Sequence, residues 1–167
     1  VEACVRNAEQ DESIDSVGFG GLPDRNGNCT FDAMVMTSPS SSGAVCGIER
    51  HLHPVSIARL VMEKTNHTLL AGTLADDFAD SHAMESANML AHTAEQKWES
   101  WKKRSRETKP LAPCDHGHGQ LFGSHDTIGT IALDSHGTLA GACSTSGMAW
   151  KVPGIVGDSP IVGHGLY

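Results

Sequence analysis

Thr127, which directly follows Asp126, is the residue of this chain whose surroundings most favour chemistry. A threonine hydroxyl is a weak nucleophile unless a base lies next to it, and an amino-terminal threonine supplies that base through its own α-amine. Cleavage of the Asp126–Thr127 bond would therefore create a nucleophile together with its base. The runs 127–133 and 139–146, joined by turn residues, predict a hairpin of two strands that brings Thr145 back towards Thr127.

Three segments carry a resemblance to a known family: His125-Asp126-Thr127-Ile128-Gly129, Ser144-Thr145-Ser146-Gly147 and Gly157-Asp158-Ser159-Pro160-Ile161. In this order and at this spacing they closely resemble the glycosylasparaginases. Those proteins are amino-terminal-nucleophile hydrolases, made as one precursor that cuts itself at an Asp-Thr bond. In this sequence that bond is Asp126–Thr127, and the resemblance implies no cofactor.

The resemblance implies two successive reactions at Thr127. In the first, the Thr127 hydroxyl attacks the carbonyl of Asp126, whose side chain assists, and water hydrolyses the resulting ester. In the second, the new α-amine, with an ordinary pKa of about 7.7 to 8.0, accepts the hydroxyl proton. The hydroxyl then attacks the side-chain amide of an asparagine that carries N-acetylglucosamine.

Two further residues receive roles from the resemblance. It implies that the Thr145 hydroxyl tunes the nucleophile through a hydrogen bond and that the Asp158 carboxylate holds the α-ammonium of the substrate. Both roles are chemically sound, because a hydroxyl donates to a developing alkoxide and a carboxylate pairs with an ammonium. Without the family, Thr145 is an ordinary strand threonine and Asp158 an ordinary turn residue.

At Ile155 the sequence departs from the resembled family, in which an arginine clamps the α-carboxylate of the substrate. Isoleucine offers no donor, and an unpaired buried carboxylate costs about 2 to 5 kcal/mol. We therefore expect weaker binding of an ordinary α-amino-acid substrate. The chain also begins after the substrate-lining tryptophan of the family and ends before its oxyanion-hole Thr-Gly pair, so we expect a fragment incomplete at both ends.

Two other functions stay open at this point. One is an L-asparaginase or isoaspartyl peptidase of the same superfamily, although in those proteins glycine typically stands where this chain has Asp126. The other is a binding protein that keeps the fold without catalysis, which Ile155 favours. Turnover by an Ile155→Arg variant but not by the parent would support that second interpretation.

A glycine-rich loop holds several side chains of the types that bind zinc or copper: Cys114, Asp115, His116, His118 and, further on, His125. Their spacing matches no standard zinc site. The sequence therefore predicts no metal.

Composition excludes several classes of partner. The formal net charge is -8 and the only basic run is Lys102-Lys103-Arg104, which argues against nucleic acid. No apolar run approaches the length of about 20 residues needed to cross a bilayer. We expect neither nucleic acid nor a membrane as a partner.

Cysteines and glycosylation sequons bear on the compartment. The 5 cysteines are odd in number and include no CxxC pair, so they do not indicate a disulfide framework. Asn28-Cys29-Thr30 and Asn66-His67-Thr68 are sequons. With the resemblance, they predict a lysosomal or secretory location in a eukaryote, or a periplasmic one in a bacterium.

The remaining pattern predicts alternating helices and strands. Strands are expected over 30–36, 43–48 and 68–72, and helices over 1–10, from Pro54 to near Asn66, and in two pieces between Ala75 and about Arg104 broken near 81–86. Met84, Met89, Trp98 and Trp101 are expected to be packing residues.

These elements predict one partial α+β domain over 1–167, and the resemblance makes it an αββα sandwich. Residues 1–126 would form the α-subunit portion, with a mobile linker at about 105–124, and 127–167 the start of the β subunit. The resemblance also implies a dimer of cleaved α/β pairs.

Overall fold

The structure is a computed structural model, which describes residues 1–107 and 126–167. Its helices are α1 (Glu2–Glu9), α2 (Pro54–Lys64), α3 (Gly72–Ser81) and α4 (His92–Glu107). Its strands are β1 (Phe31–Ser38), β2 (Ser41–Ile48), β3 (Leu69–Ala71), β4 (Ile128–Leu133) and β5 (Leu139–Thr145). Each predicted helix and strand is present, although several bounds move by a few residues.

Helix α4 extends further than predicted. It continues to Glu107, so the first residues of the linker expected at about 105–124 are helical. The reason is local, because the first proline after the helix is Pro110 and the residues before it tolerate helical geometry. The rest of that predicted linker lies outside the described residues.

The strands form one mixed sheet in the order β3-β2-β1-β5-β4. Strand β1 pairs antiparallel with both β2 and β5, and β4 pairs antiparallel with β5. Strand β3 runs parallel to β2, as a crossover through α2 requires. Because β1 is central, residues 31–36 are buried without interruption.

Alternation along the strands divides the sheet into two faces. The helix face carries a large apolar core that includes residues of α2 and α3; its strand residues include Phe31, Ala33, Val35, Val45 and Ala142. The second face carries a smaller cluster of Met34, Met36, Ala44 and Cys143, against which Leu166 packs. By the same alternation, Asp32 and Thr145 lie on the second face, away from the main core.

The predicted packing residues all contact buried clusters, and Met89 is fully buried while the other three are partly buried. Met89 is buried in the main core and Met84 packs against it. Trp98 and Trp101 pack against a separate cluster that includes Trp150, and the rings of Trp101 and Trp150 stack at a centroid distance of 5.2 Å. This stack joins α4 to the loop that follows β5.

Within the described ranges, no helix is long and apolar enough to cross a membrane. The four cysteines in those ranges, Cys4, Cys29, Cys46 and Cys143, are free thiols.

Candidate active site

Thr127 lies at the start of the hairpin formed by β4 and β5. Ile128 pairs with Ser144, so the next positions outward are Thr127 and Thr145. Thr127 is exposed, and its N–H donates a hydrogen bond of 2.8 Å to Oδ1 of Asp126. The Asp126 carboxylate therefore contacts the nitrogen of the peptide bond that the sequence marks for cleavage.

The Thr145 hydroxyl contacts the other end of the same peptide bond. Its Oγ1 donates to the Asp126 carbonyl oxygen at 3.0 Å and accepts from the Gly147 N–H at 2.9 Å. A hydroxyl has a single proton, and the Gly147 N–H occupies a lone pair, which leaves that proton for the carbonyl. Thr145 is thus placed to polarise the Asp126 carbonyl before any cleavage.

One pocket, of about 180 Å³, gathers every residue that the sequence singled out for the site: Asp126, Thr127, Thr145, Ile155 and Asp158. The pocket is also lined by Gly147 and Gly157, which belong to the segments quoted from the sequence, and by three residues that sequence reasoning missed, namely Asp32, Met148 and Lys151. The hairpin brings the first three predicted residues together, and the loop after β5 supplies the other two.

Asp158 and Ile155 form the exposed side of the pocket. Among the described residues, the Asp158 carboxylate takes part in no hydrogen bond or ion pair, and it is exposed to solvent. Ile155 is 50% exposed, so its apolar side chain faces the pocket and solvent together. An unpaired carboxylate beside an apolar wall suits a ligand that carries a cation.

The arrangement of a threonine, an adjacent carboxylate and a hydroxyl donor on one peptide bond fits amide chemistry. The sequence model of the asparaginase family matches residues 1–167. This chain belongs to the asparaginase family.

Individual relatives within the family bear more specific names. An N(4)-(beta-N-acetylglucosaminyl)-L-asparaginase of Elizabethkingia miricola is 46% identical over 167 residues, which cover 100% of this chain and 46% of that protein. The rat protein of the same name is 35% identical over 189 residues, 100% of this chain and 55% of its own length. The chain thus spans about half the length of the curated relatives it matches.

Asp32 is the first site residue of this asparaginase-family chain that sequence reasoning missed. It is 4% exposed, and its Oδ1 and Oδ2 accept hydrogen bonds from the N–H groups of Gly47 at 2.9 Å and Gly157 at 3.2 Å. Gly157 precedes Asp158, so Asp32 ties the segment that carries Asp158 to the sheet. A lone carboxylate inside the apolar run 31–36 was the signal that could have identified it.

Lys151 is the second missed residue. Its side chain is buried, and Nζ donates to the carbonyl oxygens of Ser146 at 2.7 Å and Thr30 at 3.0 Å. Burial lowers the pKa of Lys151, an effect that the negative charge of Asp32 opposes. The residue before it, Trp150, has a φ of 60°. The sequence does not predict this left-handed conformation, which is uncommon for a residue other than glycine.

The buried thiols near the site are poor candidates for a nucleophile. Burial raises the pKa of Cys29 to about 12 and that of Cys143 to about 11. Because the thiolate is the reactive form, both thiols stay protonated and inert at neutral pH.

Metal-binding side chains do not gather in the described ranges, where no group of three or more His, Cys, Asp or Glu is arranged to hold an ion. The loop weighed from sequence as an alternative metal site lies outside the described residues: Cys114, Asp115, His116, His118 and His125.

Proposed function

We propose that this chain carries the nucleophile of a self-cleaving amidohydrolase that hydrolyses the bond between N-acetylglucosamine and asparagine. The observation that carries the proposal is the 3.0 Å hydrogen bond from the Thr145 hydroxyl to the Asp126 carbonyl. The substrate is supported by the names of the relatives, which match the whole of this chain.

The first reaction is an acyl shift within the chain. The Thr127 Oγ attacks the carbonyl carbon of Asp126, and the oxygen that becomes negative receives the hydrogen bond of Thr145. The Asp126 carboxylate, 2.8 Å from the Thr127 nitrogen, takes the hydroxyl proton and returns it to that nitrogen as the C–N bond breaks. Water then hydrolyses the ester, leaving a carboxyl end on Asp126 and a free α-amine on Thr127.

The second reaction repeats this chemistry on the substrate. The neutral α-amine of Thr127 accepts the hydroxyl proton, and Oγ attacks the side-chain carbonyl carbon of the glycosylated asparagine. The amide C–N bond breaks, the amino sugar leaves with the proton, and a β-aspartyl ester remains on Thr127. Hydrolysis of that ester releases aspartate and restores the hydroxyl.

Asp158 is the residue that we propose orients the substrate. Its carboxylate is exposed in the pocket and unpaired among the described residues, which favours contact with an α-ammonium. Asp32 positions Asp158 indirectly. The Asp32 carboxylate accepts a hydrogen bond from the N–H of Gly157, the residue directly before Asp158, and so holds that segment in place.

We propose the αββα sandwich as the architecture of the whole protein. In support, the helix face of the sheet is covered by the main core, whereas Ile131, Leu133 and Leu139 of β4 and β5 are more than half exposed. The second face and these strands would receive a second sheet.

Cleavage would divide the chain into 1–126 and 127–167, and the cleaved pairs would form a dimer. Light scattering of the purified protein tests the dimer.

A lysosomal or secretory location in a eukaryotic host, or a periplasmic one in a bacterial host, is proposed for the protein. Both sequon asparagines, Asn28 and Asn66, are exposed, as a glycan requires. Loss of mass after treatment with an amidase that removes N-linked glycans would support the eukaryotic route.

Intact mass spectrometry of the full-length protein, incubated at neutral pH, tests the self-cleavage. We expect two products whose new ends are Asp126 and Thr127, and a single uncut product from a Thr127→Ala variant. Thr130→Ala is the matched control, because Thr130 lies on β4, the strand that follows Thr127, and its hydroxyl has no partner in the described structure. A parent that is folded by circular dichroism and stays uncut would contradict the proposal.

A further inference from the structure

Carboxylates outnumber cations in the pocket around Thr127. Asp32, Asp126 and Asp158 line it, and Lys151 is the one cationic side chain among the lining residues that the structure describes. Asp32 already accepts two backbone N–H groups, whereas the Asp158 carboxylate has no hydrogen bond or ion pair among the described residues. The accessible charge of the pocket is therefore negative.

Lys151 does not supply an accessible positive charge. The residue is 4% exposed, and two of the three N–H donors of its ammonium are taken by the carbonyls of Ser146 and Thr30. The ammonium also lies against the backbone that follows β5. A side chain at Gly147 would place its Cβ only 3.1 Å from Nζ. Its charge is also offset by the neighbouring Asp32.

Among the described residues, no other cation of the pocket remains for a carboxylate of the ligand. The α-amine that cleavage would expose on Thr127 must be neutral to accept the hydroxyl proton. The wall beside Asp158 is Ile155, which is 50% exposed and has no hydrogen-bond donor in its side chain. A ligand carboxylate in this pocket would face Asp158 and an apolar surface without a partner, an arrangement that is costly.

We infer that this pocket selects an asparagine whose α-amine is free and whose α-carboxyl is blocked as an amide, as in a glycosylated asparagine at the amino terminus of a peptide. The inference rests on the proposed function and specifies its substrate class. Asp158 pairs with the α-ammonium, and the neutral amide lies against Ile155 without leaving a charge unpaired.

Two matched compounds test the inference by turnover in the full-length protein: N-acetylglucosaminyl-asparagine as the free acid, and the same compound as its α-carboxamide. We expect kcat/KM for the carboxamide to exceed that for the free acid by at least about 10-fold, because only the free acid brings an unpaired charge. Ile155→Arg adds a cation to the pocket wall and should raise kcat/KM for the free acid by about 10-fold to 100-fold.

Val156→Arg is the control for the added charge, since Val156 is 43% exposed, adjacent to Ile155 and not part of the pocket lining. It should leave the ratio of the two kcat/KM values unchanged. An equal change in both variants would overturn the inference, because a cation at any nearby position would then suffice.

Calorimetric binding of the two products separates this inference from the proposed function, since it needs no turnover. We expect L-isoasparagine, the α-amide of aspartic acid, to bind more tightly than L-aspartate, and Ile155→Arg to reverse that order. Tighter binding of L-aspartate to the parent would overturn the inference and leave the proposed function intact. A cleaved, folded protein that turns over neither compound would overturn the proposed function.

Discussion

At the scale of residues, the proposed self-cleavage depends on the Thr145 hydroxyl. It receives the Gly147 N–H and donates to the Asp126 carbonyl, so its proton has one direction in which to point. A donor fixed in this way stabilises negative charge on the carbonyl oxygen without any rearrangement during the reaction. The hydrogen bond to the nucleophile predicted from the family belongs to the cleaved protein and stays a prediction.

Removal of that donor should slow self-cleavage while leaving the fold intact. For Thr145→Val we expect the rate to fall by about 100-fold to 1000-fold, the usual effect of losing one oxyanion donor. Thr145→Ser keeps the hydroxyl and should retain most of the rate. The uncut fraction, followed over time by gel electrophoresis or mass spectrometry, measures the effect.

Thr130→Val is the matched control for this substitution. It makes the same change on the neighbouring strand, where the hydroxyl has no partner in the described structure. Cleavage of Thr145→Val at the rate of Thr130→Val would contradict the role of the Thr145 hydroxyl.

The sequence predicted part of this site and not the rest. Thr127 and Thr145 could be paired in advance, because a short turn between two strands fixes which ends meet. Lys151 could not be identified, because a lysine in a loop is ordinarily solvated, whereas this one is buried. Asp32 gave a weak signal, a carboxylate within an apolar strand, but nothing in the sequence indicates that it contacts Gly157.

At the scale of elements, Lys151 holds the end of β5 against the start of β1. Its Nζ donates to the carbonyl of Ser146, just after β5, and to that of Thr30, just before β1. Lys151→Met removes both donors and leaves two carbonyls without their partner, which costs about 1 to 3 kcal/mol for a buried acceptor. We expect the free energy of unfolding to fall by about 2 to 6 kcal/mol, the cost of the two acceptors together, and self-cleavage to slow.

Urea denaturation, in a Thr127→Ala background that stays uncut, measures the stability change. Lys97→Met is the matched control: Lys97 pairs with Asp15 at the surface, at 2.9 Å, and its side chain is 52% exposed. Exposed pairs contribute about 0 to 1 kcal/mol, so this variant should stay close to the parent. Equal losses in the two variants would show that the Lys151 contacts do not support the end of β5.

The order of the elements followed from local signals, but the faces they cover did not. Pro54 marked the first residue of α2, and apolar runs bounded by turn residues marked the strands. The place of β1 at the centre of the sheet is a tertiary result, because its pairing with β5 joins segments more than a hundred residues apart. Local periodicity contains no information about such a pairing.

At the scale of the whole molecule, Glu9 joins three elements across the main core. It is 0% exposed; its Oε1 accepts from the Val55 N–H at 2.9 Å and from the Ser144 hydroxyl at 2.8 Å. Glu9 ends α1, Val55 lies in the first turn of α2, and Ser144 precedes Thr145 on β5. The packing of both helices is therefore coupled to the strand that carries the Thr145 hydroxyl.

Burial raises the pKa of Glu9 above its ordinary value of 4.5, although hydrogen bonds from His53, Ser144 and Val55 oppose the rise. The folded protein thus retains this proton to a higher pH than the unfolded chain does. The resulting stabilisation is complete below pH 4.5 and is lost as the pH rises through the raised pKa. Glu9→Gln keeps an acceptor oxygen but cannot ionise. Its free energy of unfolding, minus that of the parent, should therefore increase as the pH rises from 4.5.

Denaturation of Glu9→Gln and of the parent at a series of pH values from about 4 to 8 gives the difference between their free energies of unfolding. Glu95→Gln removes a carboxylate whose side chain is 54% exposed and controls for the loss of charge alone. A difference between Glu9→Gln and the parent that stays constant, or that shrinks as the pH rises, would contradict the linkage. If the difference grows as expected, the rate of self-cleavage in Glu9→Gln reports how far the position of β5 affects the reaction. Glu9 contacts Ser144, the neighbour of Thr145, and not the scissile bond.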